Sequence, residues 1–314
     1  MAILKTFTVI GMREELADRI WDISPEATPF MSNAKKGTVR ATLSEWLIDE
    51  LTAPDTANAK VQGYDVTAED TITQPVRLGN RTQISDKTAK VAKTVEAVNK
   101  AGRRAEMARA LSRKMVELKR DIESILLSNQ IAYAGTASAA STTGSVLAFI
   151  KTNVNKAGDG TNPSYTSLPD ALRVDGTPRP FTETIHKDVL EQMWIEGADP
   201  SIVMVGAVQK GVASTFTGIA QIRKAVEGLK QAAIIGAADV YVGDFGEVTF
   251  VPNRWMRPID ALYLDKSMYE FATLRGFDTI PLAIMGDSDR RLVNVEYMLK
   301  VYNEKGLGLA TDLA

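Results

Sequence analysis

Asp244-Phe245-Gly246, in the run DVYVGDFGEVTF, is the triplet with which a protein kinase presents a magnesium-binding aspartate. Asp287 and Asp289, in MGDSDRR, add two carboxylates of the kind that hold magnesium through oxygen. These three aspartates define one candidate chemistry, a metal-dependent reaction at phosphate. A kinase also needs a glycine-rich phosphate loop, a strand lysine and a histidine-led catalytic loop ahead of that aspartate. The one histidine, His186, stands in TETIHKDVL, so the catalytic loop is missing, as is any GxGxxG stretch. A GKS or GKT loop, a GxSxG elbow and an HExxH pair are missing too. One imidazole makes no metal site, and His186 reads as a surface or packing residue. The plainer meaning of the triplet is a turn. Gly243 to Gly246 would close a tight hairpin between VYV and VTF, with glycine supplying left-handed dihedrals and Asp244 bonding nearby amides. A turn would likewise select Gly, Asp and Ser around Asp287. The expectation is a protein that is not an enzyme and carries no catalytic group, cofactor or metal.

A second chemistry is phosphate contact by cations. Arg103, Arg104, Arg109, Arg113 and Lys114 crowd one segment, with Lys119 and Arg120 further on, and such contact needs no base-reading motif. Glu106, Glu117, Asp121 and Glu123 lie among them at spacings that allow pairing along a helix. The segment therefore reads as a solvated or neighbour-facing surface, with non-specific nucleic-acid binding through 103–120 as the alternative. The whole chain gives that alternative no push, because 37 basic and 39 acidic side chains nearly cancel. With no cysteine among its 314 residues, the chain has no disulfide, thiolate nucleophile or cysteine-ligated metal. The N-terminus is a poor signal peptide, and no apolar run reaches membrane length; no membrane partner is expected.

The elements that must position these residues change character along the chain. Met1 to Gly11 reads as extended, and Met12 to Ile23 as a helix stopped by Ser24-Pro25. TVRATLSEWLIDEL and TITQPVRLGNRTQIS read as two long antiparallel strands, joined by a polar, weakly ordered tip. Such an arm is marginal alone and needs something to lie against. From Gly102 to Gln130 apolar residues recur every three or four positions without proline, which predicts a helix roughly 40 Å long. AGTASAASTTGS and the glycine-rich stretch after it read as connector and loop. In the second half, Thr182 caps a helix that Gly197 ends, and PSIVMVG is a buried strand. Short strands are expected at Asp239–Val242, Glu247–Pro252 and Ala261–Asp265, and a long one at Arg290–Tyr302. The class is α+β with a mixed or antiparallel sheet.

Aromatic residues fall where the chain has little core of its own. Phe30 lies in the open N-terminal segment, Trp46 in the arm and Tyr64 at its tip. With Leu78 and Ile84, they are the expected contacts to another subunit.

The order of the motifs TFTVIGMREELADRI, ISPEATPF, SEWLIDEL, GNRTQIS, ELKRDIE, VYVGDFGEVTFVPNRWM, MGDSDRRLVNVEYML and NEKGLGLATDL resembles the SU10-like major capsid proteins of tailed bacteriophages, over nearly the whole chain. That resemblance implies an HK97-type capsid fold. Residues 1–36 would be an N-terminal arm and 37–90 an extended loop. Residues 91–180 would form a peripheral domain with spine helix 102–130, 181–285 an axial domain, and 286–314 a return strand and tail. It implies self-assembly into pentamers and hexamers of an icosahedral or prolate head around double-stranded DNA. Further partners would be a portal and a decoration protein; with no long charged helix before the arm, assembly would need a separate scaffolding protein or proceed without one. The place would be the virion, after assembly in the bacterial cytoplasm. Gly135–Pro180 departs most from the family pattern, and no motif marks a crosslinking lysine–asparagine pair around Lys60.

Overall fold

The computed structural model describes residues 24, 27–66, 69, 72–98, 105–216 and 240–314. The expected extended start and helix of residues 1–23 lie outside them. A one-turn helix α1 (Pro29–Asn33) and strand β1 (Lys35–Thr38) lead to the hairpin strands β2 (Leu43–Ile48) and β3 (Val76–Arg81). Strand β4 (Gln83–Ala92), short α2 (Lys93–Ala97) and long α3 (Glu106–Leu126) follow. Then come α4 (Val146–Phe149), β5 (Val154–Asn155), α5 (Glu183–Ile195), β6 (Ile202–Val205) and α6 (Ala207–Ala213). Strands β7 (Val240–Gly243), β8 (Gly246–Pro252), β9 (Ala261–Leu264), β10 (Tyr269–Pro281), β11 (Ser288–Val301) and β12 (Leu307–Ala310) complete the chain.

The strands form a four-stranded sheet in the order β1-β10-β11-β4, a six-stranded sheet in the order β5-β12-β9-β6-β8-β7, and the separate pair β2-β3. Both larger sheets mix parallel and antiparallel neighbours, since β1 runs parallel to β10 and β6 parallel to β8. The α+β class follows. Helix α3 lies on the four-stranded sheet because Leu118, Ile122 and Leu126 share one face and are fully buried. One apolar core joins that face to the six-stranded sheet through Met204, Leu262 and Leu264. A second core under α5 gathers Val189, Val203, Phe250 and Tyr263. No helix among the described residues is long and apolar enough to cross a membrane.

Several boundaries differ from the sequence reading, each for a local reason. Helix α3 ends at Leu126 and not near Gln130, because Ser128 turns its hydroxyl onto the Ile125 carbonyl at 2.7 Å and tightens the last turn. The two long strands of the arm are each cut in two. The chain leaves the four-stranded sheet after β1, pairs as β2-β3 for six residues a side, and returns as β4. The Thr82 N–H closes the neck on the Thr42 carbonyl at 2.8 Å. Strand β10 was missing from the sequence reading altogether. Its pairing to β11 shifts register between Thr273 and Arg275 and again before Asp278, and those irregularities break the two-residue alternation by which a strand is recognised. The stretch after Gly135 is also more built than a loop. Val146 to Ile150 are fully buried, and β5 joins the six-stranded sheet beside β12.

The two helical caps and the turn came out as read. The Thr182 hydroxyl accepts from the Ile185 N–H, and Gly197 takes φ +83 where α5 ends. Gly243 pairs with Gly246 across a two-residue turn, and Gly246 sits at φ +119. The DFG triplet is a sheet corner.

Candidate functional site

The extended hairpin has a pinned root and a bare tip. At the root, Asn80 is wholly buried on β3 and its side-chain amide reaches two other parts of the chain. Its Nδ2 donates to the Leu299 carbonyl at 2.6 Å, the Gly144 carbonyl at 3.0 Å and Thr143 Oγ1 at 3.1 Å. Its Oδ1 accepts from the Gly144 N–H at 2.8 Å. β3 is thus fastened to β11 and to the segment before α4. A second fastening is Trp46 on β2, which packs against the main core while its indole N–H donates to the Tyr302 carbonyl at 3.2 Å. The Lys300 ammonium stands 5.5 Å from its ring centroid. A third is Lys305, whose ammonium meets Glu50 at 2.9 Å and Glu196 at 2.8 Å, linking the hairpin to the end of α5.

Beyond Ile48 and before Val76 no described residue is in a strand. Leu51 is fully exposed and Ile72 is 84% exposed, with Val61, Val66 and Tyr64 also bare. Side chains of this kind have little cover among the described residues. They can do no chemistry of bond making. They can bury against another surface.

The five expected neighbour contacts divide accordingly. Tyr64 and Ile84 are exposed. Trp46 is half-buried on its own subunit. Phe30 and Leu78 are core residues of their own chain, which corrects the expectation that they reach a neighbour. For Phe30 the cause is Pro29, which starts a turn of helix and sends the ring inward to stack on Tyr269 at 5.0 Å. For Leu78 it is the root of the hairpin, where β3 passes over the core.

Among the basic residues, Arg103 and Arg104 lie outside the described residues. Arg109 pairs with Glu106 at 3.1 Å and Lys114 with Glu117 at 2.7 Å, both along the helix. The Lys114 hydrogen bond, with Lys87 and Arg113 nearby, holds the Glu117 carboxyl below its ordinary value. Of the four acids written among the bases, Glu106 and Glu117 make the pairing along the helix that the spacing allowed, whereas Asp121 meets Lys87 of β4 at 2.6 Å and Glu123 is buried. The three aspartates do not converge. Asp244 is exposed on the β7-β8 turn, whereas Asp287 and Asp289 stand at the start of β11 in the other sheet. Asp289 pairs with Arg291 at 3.5 Å, and Asp287 accepts from the Thr94 hydroxyl at 3.3 Å. No group of three metal-ligating side chains occurs among the described residues. His186 is a packing residue. It is buried, with Tyr241, Phe250, Tyr263 and Phe216 around it and its Nδ1 2.9 Å from the Tyr263 hydroxyl. Burial pushes its pKa down to about 4.

Sequence reasoning missed Asn80, Lys305 and the buried carboxylate Glu304, and it read Glu123 as a helix-surface partner of the bases where the structure buries it. GNRTQIS and NEKGLGL were both singled out as motifs, yet a polar residue within a motif carries no mark of the partners it will meet hundreds of residues away. Glu304 is buried against Thr152 and the Lys151 N–H, and its pKa is raised by that burial.

A model of the family described as SU10 major capsid protein matches residues 3–314. A major capsid protein of Escherichia phage Phieco32 is 27% identical, over 95% of this chain and 94% of its own. Among solved structures, the capsid of Cyanophage P-SCSP1u superposes with a TM-score of 0.63 at 10% identity, over 96% of this chain and 93% of that one. The capsid of a native GTA particle gives a TM-score of 0.64 at 11% identity, over 98% of both chains. At such identities the two structures speak for the fold.

Proposed function

Since this chain belongs to the SU10 major capsid protein family, we propose that its bare hairpin tip is the part that grips a neighbouring copy in the shell. The protein is a major capsid protein of a phage with an HK97-type fold, and its place is the virion. One observation carries the reading of the tip: Leu51, Val61, Val66 and Ile72 hold apolar side chains in solvent beyond a hairpin root fixed by Asn80, Trp46 and Lys305. A rigid root gives the tip a defined reach. Full burial of one Leu or Ile at the far end is worth about 1.5–3 kcal/mol, less the cost of ordering it. Contacts of that size become persistent when each copy engages several neighbours at once.

In the same reading, copies associate as pentamers and hexamers of an icosahedral or prolate head. The four-stranded sheet with α3 is the peripheral domain and the six-stranded sheet the axial one. Packaged double-stranded DNA meets the inner wall by non-specific, salt-sensitive contact. A portal, a scaffolding protein and a decoration protein are the further partners, and assembly takes place in the host cytoplasm. The test is negative-stain microscopy of the purified chain beside the variant carrying Leu51→Ser and Ile72→Ser. The variant should melt as the parent does and give far fewer closed particles. Undiminished particles of normal diameter would remove the tip from the interface.

A further inference from the structure

Glu123 lies in the last turn of α3 and is fully buried, an unusual place for a carboxylate. Its Oε1 accepts from the Phe30 N–H at 2.6 Å and from Asn253 Nδ2 at 2.8 Å, and its Oε2 from the Met31 N–H at 2.9 Å. Every one of these partners is a donor, so the group they fit is the ionised carboxylate. The partners come from three places. Phe30 and Met31 stand in the first turn of α1. Asn253 directly follows β8 of the six-stranded sheet, and its own N–H is held by the Val205 carbonyl at 2.9 Å. Glu123 itself belongs to the long helix of the other sheet. Trp255 adds a fastening beside it, donating its indole N–H to the Ala27 carbonyl at 3.0 Å under the Arg120 guanidinium, 4.9 Å from its ring.

We propose that Glu123 is a clasp that couples α1 to both the long helix and the six-stranded sheet. A shift of α3 or of the end of β8 then carries α1 with it. Burial raises the pKa of Glu123, and the donated hydrogen bonds and the Lys36 charge oppose that rise. A carboxylate at a helix start in solvent would supply a local cap; this one is spent on joining parts of the chain 92 to 130 residues apart.

Glu123→Gln keeps the shape and sets an amide N–H₂ against a backbone N–H. Asn253→Ala leaves the Glu123 carboxylate in place and removes its tie to the six-stranded sheet, together with the bond that the Asn253 side chain takes from the Trp255 N–H at 2.9 Å. Hydrogen exchange read at the Phe30 and Met31 amides is the assay, with the Leu118 and Ile122 amides of α3 as the internal reference. Glu123→Gln should speed exchange at Phe30 and Met31 by about tenfold or more, the loss of one charge-assisted hydrogen bond, while the reference amides hold. Asn253→Ala should give a smaller rise at the same two amides, and decides the matter if the first variant does not fold. A rise shared equally by the reference amides, or none at Phe30 and Met31, overturns the clasp. The shell is scored separately by microscopy, so neither proposal shelters the other.

Discussion

Replacing Asn80 by alanine separates the root of the hairpin from its tip. The side chain is wholly buried and satisfies two carbonyls, Leu299 and Gly144, one hydroxyl, Thr143, and two amides, that of Gly144 and that of the less buried Arg81. Alanine leaves those groups facing a small apolar void. A buried polar group stripped of its partner costs about 1–3 kcal/mol. Thr143 Oγ1 also accepts from the Leu299 N–H at 3.3 Å and keeps that partner. Two carbonyls and one amide stranded at the low end of the range give about 3–5 kcal/mol. A domain of this kind holds only about 5–15 kcal/mol in all, so the loss is large. The measurement is urea unfolding of the unassembled chain by tryptophan fluorescence, with the slope of the transition checked for constancy. Asn80→Asp is the companion variant. It keeps the shape and the acceptor to Gly144 but turns an oxygen on the Leu299 and Gly144 carbonyls, so it should be at least as damaging. A midpoint for Asn80→Ala within about 1 kcal/mol of the parent would show that the root is held by packing alone.

Trp46→Phe should cost about 0.5–1.5 kcal/mol through the lost indole bond, and Trp46→Ala about 3 kcal/mol or more, both in the isolated chain, as read by thermal melting. His186→Phe tests the histidine among its rings by its pH profile. A base whose folded pKa is lowered to about 4 from 6.5 makes stability fall as the pH drops from about 6.5 toward 4, by up to about 3 kcal/mol. Phenylalanine should flatten that fall in urea titrations across the window. Asp260 gives the opposite slope. It is buried beside Arg257 at 3.3 Å and takes a hydrogen bond from the Thr311 hydroxyl, and burial raises its pKa from 3.8 to about 6. The folded state holds its proton more tightly than the unfolded state, so this group costs up to about 3 kcal/mol as pH rises from about 4 to 6. Asp260→Asn should remove the decline in that window.

What was legible in the sequence was what repetition writes. The spacing of Leu118, Ile122 and Leu126 fixes α3, and the alternation of Val293, Val295, Tyr297, Leu299 and Val301 fixes β11; all eight are buried. The DFG corner and the Thr182 cap were legible because each is a local geometry with a residue that serves it. What stayed hidden has no period. Strand β10 breaks its own alternation with two register shifts, and the cut of the arm into β1, β2, β3 and β4 depends on which partner each piece meets. The inward turn of Phe30 depended on Tyr269 and Glu123, which the sequence places far away. A ring in a segment poor in apolar neighbours has two ways to be covered, by the chain's own distant parts or by another copy, and composition alone does not choose between them.

The choice turns on whether the backbone beside the ring has somewhere to put its polar groups. At Phe30 the N–H meets Glu123 inside the body, so the ring follows it inward. At Tyr64 the N–H bonds only to the Val61 carbonyl of its own turn, at 3.2 Å, and the ring stays out. The same distinction separates Leu78, whose neighbour Gly79 donates to the Ser167 carbonyl at 2.8 Å, from Leu51 and Ile72, whose stretch of chain is in no strand. At Phe30 and Leu78 the body takes up both the backbone bond and the side chain, whereas Leu51, Tyr64 and Ile72 keep their side chains in solvent.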